Sequence, residues 1–180
     1  MDSARIHLKL VFDETGLSSD LASFSKRLAV QKKIYLSQLF GIDLGYRFGW
    51  YLRGPYCPAL TSDAFTLRQE IESGDEEADR YCLTEEARKR LARANKLWEL
   101  PSGIEVSEQD WLELLASLHY LRHIAYRPGD QSADFDGVFE SLKRSKPRFT
   151  EMRDEARIAW ERLEEFALTS CKTVPQPSSP

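Results

Sequence analysis

Apolar residues recur along this chain with two different periods, and the change of period divides it into elements. Over residues 3–14, Ile6 and Leu10, widened by Leu8, Val11 and Phe12, form one face of a helix that Gly16 ends. The polar stretch 18–25 predicts a loop. A second helix is expected over 26–40, where Leu28, Tyr35 and Leu39 share a stripe that Ile34, Leu36 and Phe40 broaden. So wide an apolar surface makes this helix central, and Gly41 suits its C-terminal stop.

From residue 44 to 53 the period falls to two. Leu44, Tyr46, Phe48, Trp50 and Leu52 alternate with Gly45, Arg47, Gly49, Tyr51 and Arg53, which predicts a half-buried strand with an aromatic inner face. The glycines flatten the outer face enough for a partner backbone to approach. Gly54-Pro55 and Pro58 predict a corner between this strand and a helix over 58–73, whose face is Leu60, Ala64, Leu67 and Ile71. Residues 80–83 read as a second short strand, and Thr84 as the cap of a helix over 85–99 carrying Ala87, Leu91, Ala94 and Trp98. The two strands would pair in a small antiparallel sheet, giving a winged-helix-like N-terminal part.

Pro101 and Gly103 separate a unit over 1–100 from a helical part over 101–168. There Ser107 caps a helix with Trp111, Leu114, Leu115, Leu118 and Leu121 as its seam, which Pro128-Gly129 breaks. Phe135, Val138, Phe139 and Leu142 mark a shorter helix ending before Pro147. Thr150 is the expected cap of the last helix, with Met152, Ala156, Ala159, Leu163 and Phe166 inward. The Ser/Pro-rich tail 169–180 predicts disorder. The fold class is α+β and predominantly α-helical: a small antiparallel hairpin or sheet embedded in about seven helices.

Composition narrows the function. The chain has 180 residues, 42% of them hydrophobic, with four Trp, enough for a core. A net charge of -4 argues against a general nucleic-acid binder. Residues 1–60 nevertheless carry eight Lys/Arg against five acids, so a local basic face stays open. The three cysteines have no zinc spacing and suggest no disulfide framework. The first residues are too charged for a signal peptide, and no stretch approaches the roughly 20 apolar residues of a membrane span. A reducing cytoplasm is the expected compartment.

No catalytic constellation stands out. His119 and His123 lie four apart on a helix, but no third ligand accompanies them, so neither a metal nor another cofactor is expected. The acidic pairs fall in loops or at helix ends. No nucleophile elbow or phosphate-binding glycine loop is present. What remains are binding surfaces: Arg47, Tyr51 and Arg53 on the outer strand face, with the corner Gly54, Pro55 and Tyr56, for a protein partner. Lys26, Arg27, Lys32 and Lys33 are the set a nucleic acid would use, although a solvated helix surface accounts for them as well. Lys143, Arg144, Lys146 and Arg148 form a second basic run, partly explained by the dipole of the helix they end.

Two segments carry a family resemblance. Lys33-Ile-Tyr35-Leu, followed by Trp50-Tyr-Leu-Arg-Gly54-Pro55-Tyr-Cys-Pro58, resembles the hallmark of the Panacea (SocA-like) antitoxin superfamily, in particular its YwgA-like branch. Cys82-Leu-Thr-Glu-Glu, Tyr120-Leu-Arg122 and Lys146-Pro-Arg-Phe149 fit the same layout, so the resemblance spans most of residues 5–168. It implies a cytoplasmic prokaryotic interaction protein that is not an enzyme: an antitoxin, or a subunit of an antiphage defence system, that binds a toxin or effector. The chain departs from many antitoxins in showing no appended DNA-binding domain. The alternative is a winged-helix-type nucleic-acid-binding regulator. Self-association into a homo-oligomer stays open.

Overall fold

The structure is a computed structural model that describes residues 1–125 and 134–168. Within them, seven α-helices accompany one two-stranded sheet: α1 Ser3–Thr15, α2 Phe24–Leu39, β1 Gly49–Tyr51, β2 Gly54–Tyr56, α3 Pro58–Glu72, α4 Glu85–Trp98, α5 Glu108–His123, α6 Phe135–Ser145 and α7 Arg153–Glu165. The fold is predominantly helical α+β, as the periodicities predict. Proposed breaks or tails at Pro128-Gly129 and 169–180 lie outside the described residues.

Helix starts follow local chemistry. Asp2, Ser23, Thr84, Ser107 and Asp134 each accept a hydrogen bond from a backbone N–H in the first turn of the helix they precede. Thr150 does not cap α7. A 3-10 turn, Pro147–Phe149, intervenes, Thr150 Oγ1 donates back to the Pro147 carbonyl, and Met152 holds the N-cap position without a side-chain hydrogen bond.

α5 is the axis of the larger core. Every residue from Trp111 to Leu121 is buried, including Glu113, Ser117 and His119. A helix covered on all sides needs apolar residues on all sides, so the five-residue seam read from sequence is only part of its buried surface. α6, α7 and the turn before α7 pack around it, and Tyr35, Leu36, Ala94, Leu97 and Trp98 complete the cluster from α2 and α4. A second cluster joins α1, α3 and the opposite side of α2 through Phe12, Ile34, Leu60 and Leu67. α2 therefore lies between two cores, in keeping with its broad apolar surface.

The sheet departs from expectation. The alternation over 44–52 holds in burial as far as Trp50: Tyr46 is buried, and Leu44, Phe48 and Trp50 are partly buried. Leu52 does not follow. It is 87% exposed, because the chain reverses at Leu52-Arg53 and pairs Gly49 with Tyr56, Trp50 with Pro55 and Tyr51 with Gly54. Gly54 and Pro55 are thus strand residues of a hairpin and not a strand-to-helix corner. Pro55 lacks an N–H, which a two-stranded sheet tolerates because each strand is an edge. Residues 80–83 form no strand. The 3-10 turn Glu77–Arg80 leads into an irregular segment, and β1 takes its partner from its own sequence neighbourhood instead.

Gly54 is required by two constraints at once. Its φ is +79°, the left-handed region that lets the strand return after a turn whose own residues have negative φ. A Cβ at Gly54 would also stand 2.5 Å from Ser117 Oγ on α5. Gly54→Ala is expected to destabilise the protein by about 2 kcal/mol or more, from left-handed strain plus the clash. Ser117→Ala in the same background should recover part of the loss by removing the hydroxyl. Urea unfolding of wild type and the two variants measures both contributions.

Candidate functional site: a hairpin on buried charges

Two three-residue strands have little stability of their own. This hairpin is held from beneath by buried ammonium groups. Lys32, 1% exposed, donates from Nζ to the Pro55 carbonyl at 2.6 Å. Lys146 donates to the Leu52 carbonyl at 2.6 Å and lies 3.5 Å from that of Tyr51. One lysine serves β2 and the other serves the turn and the end of β1.

The counter-charge is Glu113, wholly buried one helical turn before Ser117 on the α5 face beneath the hairpin. Lys146 Nζ donates to Glu113 Oε1 at 2.9 Å. Arg148 Nη2 forms an ion pair with Oε2 at 2.6 Å, and Arg53 Nη1 is 3.6 Å from the same oxygen. Arg148 also pairs with Asp110. Three cations thus surround two carboxylates, and Lys32 lies buried nearby with no carboxylate within 4 Å. Burial pushes the Lys32 amine down to about 7, with Glu113 opposing and Lys146 and Arg53 reinforcing the shift. Burial lowers Lys146 as well, against the pull of Glu113.

Above this network, Lys32, Arg53 and the hairpin face α3 and the start of α2 across an open groove of about 690 Å³. Gln31 fixes one wall. Its side-chain amide donates to the Cys57 carbonyl and to Thr61 Oγ1, and accepts from the Cys57 N–H. Thr61 in turn donates to the Tyr56 hydroxyl at 2.9 Å. The rim is apolar: Phe24 is 51% exposed, Tyr51 59%, Leu52 87% and Phe65 39%. These are four of the seven large apolar side chains exposed among the described residues, and they share one groove.

The residues proposed for a protein partner divide here. Tyr51, Arg53 and Tyr56 line the groove, Gly54 and Pro55 lie buried behind it, and Arg47 is exposed outside it. The four residues proposed for a nucleic acid do not share one face. Lys32 is not on the surface at all, since it points under the hairpin. Lys33 pairs with Glu108 at 3.1 Å beside Trp98, Lys26 pairs with Asp20, and Arg27 donates to the carbonyls of Leu21 and Ala22. Of the second basic run, Lys146 and Arg148 are turned toward Glu113 and Asp110. Glu113, Phe24, Leu52 and Phe65 were not anticipated. The signal for Glu113 was a carboxylate inside an otherwise apolar helical run; the other three are joined only by tertiary structure.

His119 is buried, accepting from or donating to the Tyr35 hydroxyl through Nδ1 at 2.7 Å, with its ring 4.7 Å from that of His123. Burial, then His123, pushes it down to about 3, so it sits in the core as a neutral imidazole. Among the described residues no group of three or more His, Cys, Asp or Glu is placed to hold a metal ion, and no described helix is long and apolar enough to cross a membrane.

No family model, curated protein or solved structure matches this chain.

Two outcomes test the network. Glu113→Gln leaves Lys146 and Arg148 without their buried counter-charge and is expected to cost about 3 kcal/mol in urea unfolding. Lys32 binds a proton less readily folded than unfolded, so its burial penalty is full below pH 7 and is relieved as pH rises from about 7 toward the ordinary lysine value of 10.5. Between pH 7 and 9, wild type should gain about 2 kcal/mol relative to Lys32→Met, measured by parallel unfolding curves.

Proposed function

We propose that this chain is a non-enzymatic protein-interaction module of the cytoplasm, an antitoxin or a subunit of a prokaryotic defence complex, that works by covering a partner's surface. The observation that carries the binding part of this reading is the apolar rim. Scattered exposed apolar residues are ordinary, whereas several gathered around one groove mark a surface built for contact. Leu52 and Tyr51 stand at the tip of a hairpin whose carbonyls are held by Lys32 and Lys146, so the tip is positioned before a partner arrives. Pre-positioning reduces the ordering cost of association.

The antitoxin and defence part rests on the resemblance of the Lys33–Leu36 and Trp50–Pro58 segments to Panacea-like proteins. The hallmark residues include the ones that build this hairpin: Trp50 packs on Tyr120 at 5.5 Å between ring centres, and Gly54 and Pro55 form β2. A motif concentrated in the hairpin suits a function concentrated there.

The test is co-purification of the tagged full chain from its native host, read by mass spectrometry, beside a Tyr51→Asp/Leu52→Asp variant. Both positions are exposed, so the fold should survive. The expected result is a stoichiometric partner on wild type, reduced at least about ten-fold on the variant, a loss of 1.4 kcal/mol or more. Equal recovery on both proteins would remove the hairpin tip from the interface.

A further inference from the structure

The groove has a charge as well as an apolar rim. Two cations, Arg27 and Arg53, line it beside the buried Lys32, and no acidic side chain does. Among the described residues neither Arg27 nor Lys32 has a carboxylate within 4 Å. Arg27 spends one nitrogen on two neutral carbonyls, which leaves its charge uncompensated. Arg53 stands 3.6 Å from Glu113, a carboxylate already engaged at closer range by Lys146 and Arg148. The groove is therefore short of negative charge.

We infer that the groove receives an acidic amphipathic segment of a partner protein, with bulky apolar side chains set among Phe24, Leu52 and Phe65 and carboxylates directed at Arg27 and Arg53. This inference rests on the protein-interaction reading above and adds the chemistry of what is bound. The volume, about 690 Å³, falls in the range of pockets that enclose a few side chains and not a folded domain. Electrostatic complementarity of this kind selects among partners and speeds encounter.

A single-stranded nucleic acid also seeks cations beside aromatic rings. The arrangement favours the peptide. Tyr51 and Tyr56 pack on each other at a 45° tilt with ring centres 5.0 Å apart, and Arg53 lies over the Phe24 ring at 5.6 Å, so the rings do not form a row of parallel faces for successive bases. The most exposed residue of the rim, Leu52, is aliphatic and offers no stacking face.

The experiment uses the full chain and two labelled helical peptides of about 14 residues, roughly four turns. Both carry the same Leu/Phe stripe; one is flanked by glutamates and the other by lysines. Fluorescence anisotropy should show the glutamate peptide binding at least about ten-fold more tightly, a 1.4 kcal/mol difference, with the gap narrowing as salt is raised. Arg27→Gln/Arg53→Gln should erase the preference, and the wild-type comparison stands by itself if that variant folds poorly. Equal binding of the two peptides, absence of binding by both, or tighter binding of a labelled single-stranded oligonucleotide would each overturn the inference. So would a dimer in sedimentation equilibrium that Leu52→Asp dissociates, since the occupant would then be a second copy of this chain. If both peptides fail while Tyr51→Asp/Leu52→Asp still releases the co-purified partner, the acidic chemistry is wrong and the interaction surface stands. If the partner is also retained, both readings fall.

Discussion

A carboxylate with no access to water sits at the middle of the most buried helix, and the placement of the hairpin depends on how it is compensated. Burying Glu113 alone would be prohibitive, so the fold must bring cations to it. They come from separate parts of the chain: Lys146 and Arg148 from the end of α6 and the turn beyond, and Arg53 from the hairpin. Lys146 then spends its remaining donors on the carbonyls of the hairpin turn. One ion pair thus fixes the position of the C-terminal helices relative to a hairpin nearly a hundred residues earlier in sequence.

Such a pair is an inefficient source of stability, because desolvation cancels much of the attraction and apolar replacements often serve as well. Its value here is positional. A hairpin of three-residue strands has few backbone hydrogen bonds to define its place on the helices, and apolar contacts alone permit sliding. Carbonyl oxygens seated on ammonium groups do not slide without leaving a buried charge unsatisfied. Gly54 completes the fit, since only a residue without a Cβ lets β2 lie against Ser117.

The helices were legible because a 3.6-residue period, capping residues such as Ser107 and Thr84, and stops such as Gly16 all mark the same boundaries. The hairpin was legible only in part. Tyr46, Phe48 and Trp50 alternate inward as read, but Leu52-Arg53 carries no turn signal, so the alternation runs on through the reversal and places Leu52 in the core. The burial of Lys32 was hidden by its neighbour. Adjacent helix positions differ by about 100°, so two successive lysines take different surroundings: Lys32 is buried under the hairpin, and Lys33 pairs with Glu108. Of the groove only the hairpin side, Tyr51, Arg53 and Tyr56, was legible, because Phe24, Leu52 and Phe65 belong to three elements whose packing no local pattern encodes.

The same arrangement that stabilises the hairpin from below leaves its outer side with nothing further to satisfy within the chain. The carbonyls of Leu52 and Pro55 are taken, the Gln31 amide is spent on Cys57 and Thr61, and the aromatic inner face is packed on α2 and α5. What remains outward is an apolar tip and cations in excess of their carboxylates. A chain selected for stability alone would not leave Leu52 at the apex of its best-anchored turn, since exposing that side chain forgoes about 1.5–3 kcal/mol of burial. On the protein-interaction reading proposed above, a partner that covers Leu52 and Tyr51 offsets that cost, and the anchored carbonyls beneath hold the tip in place for it.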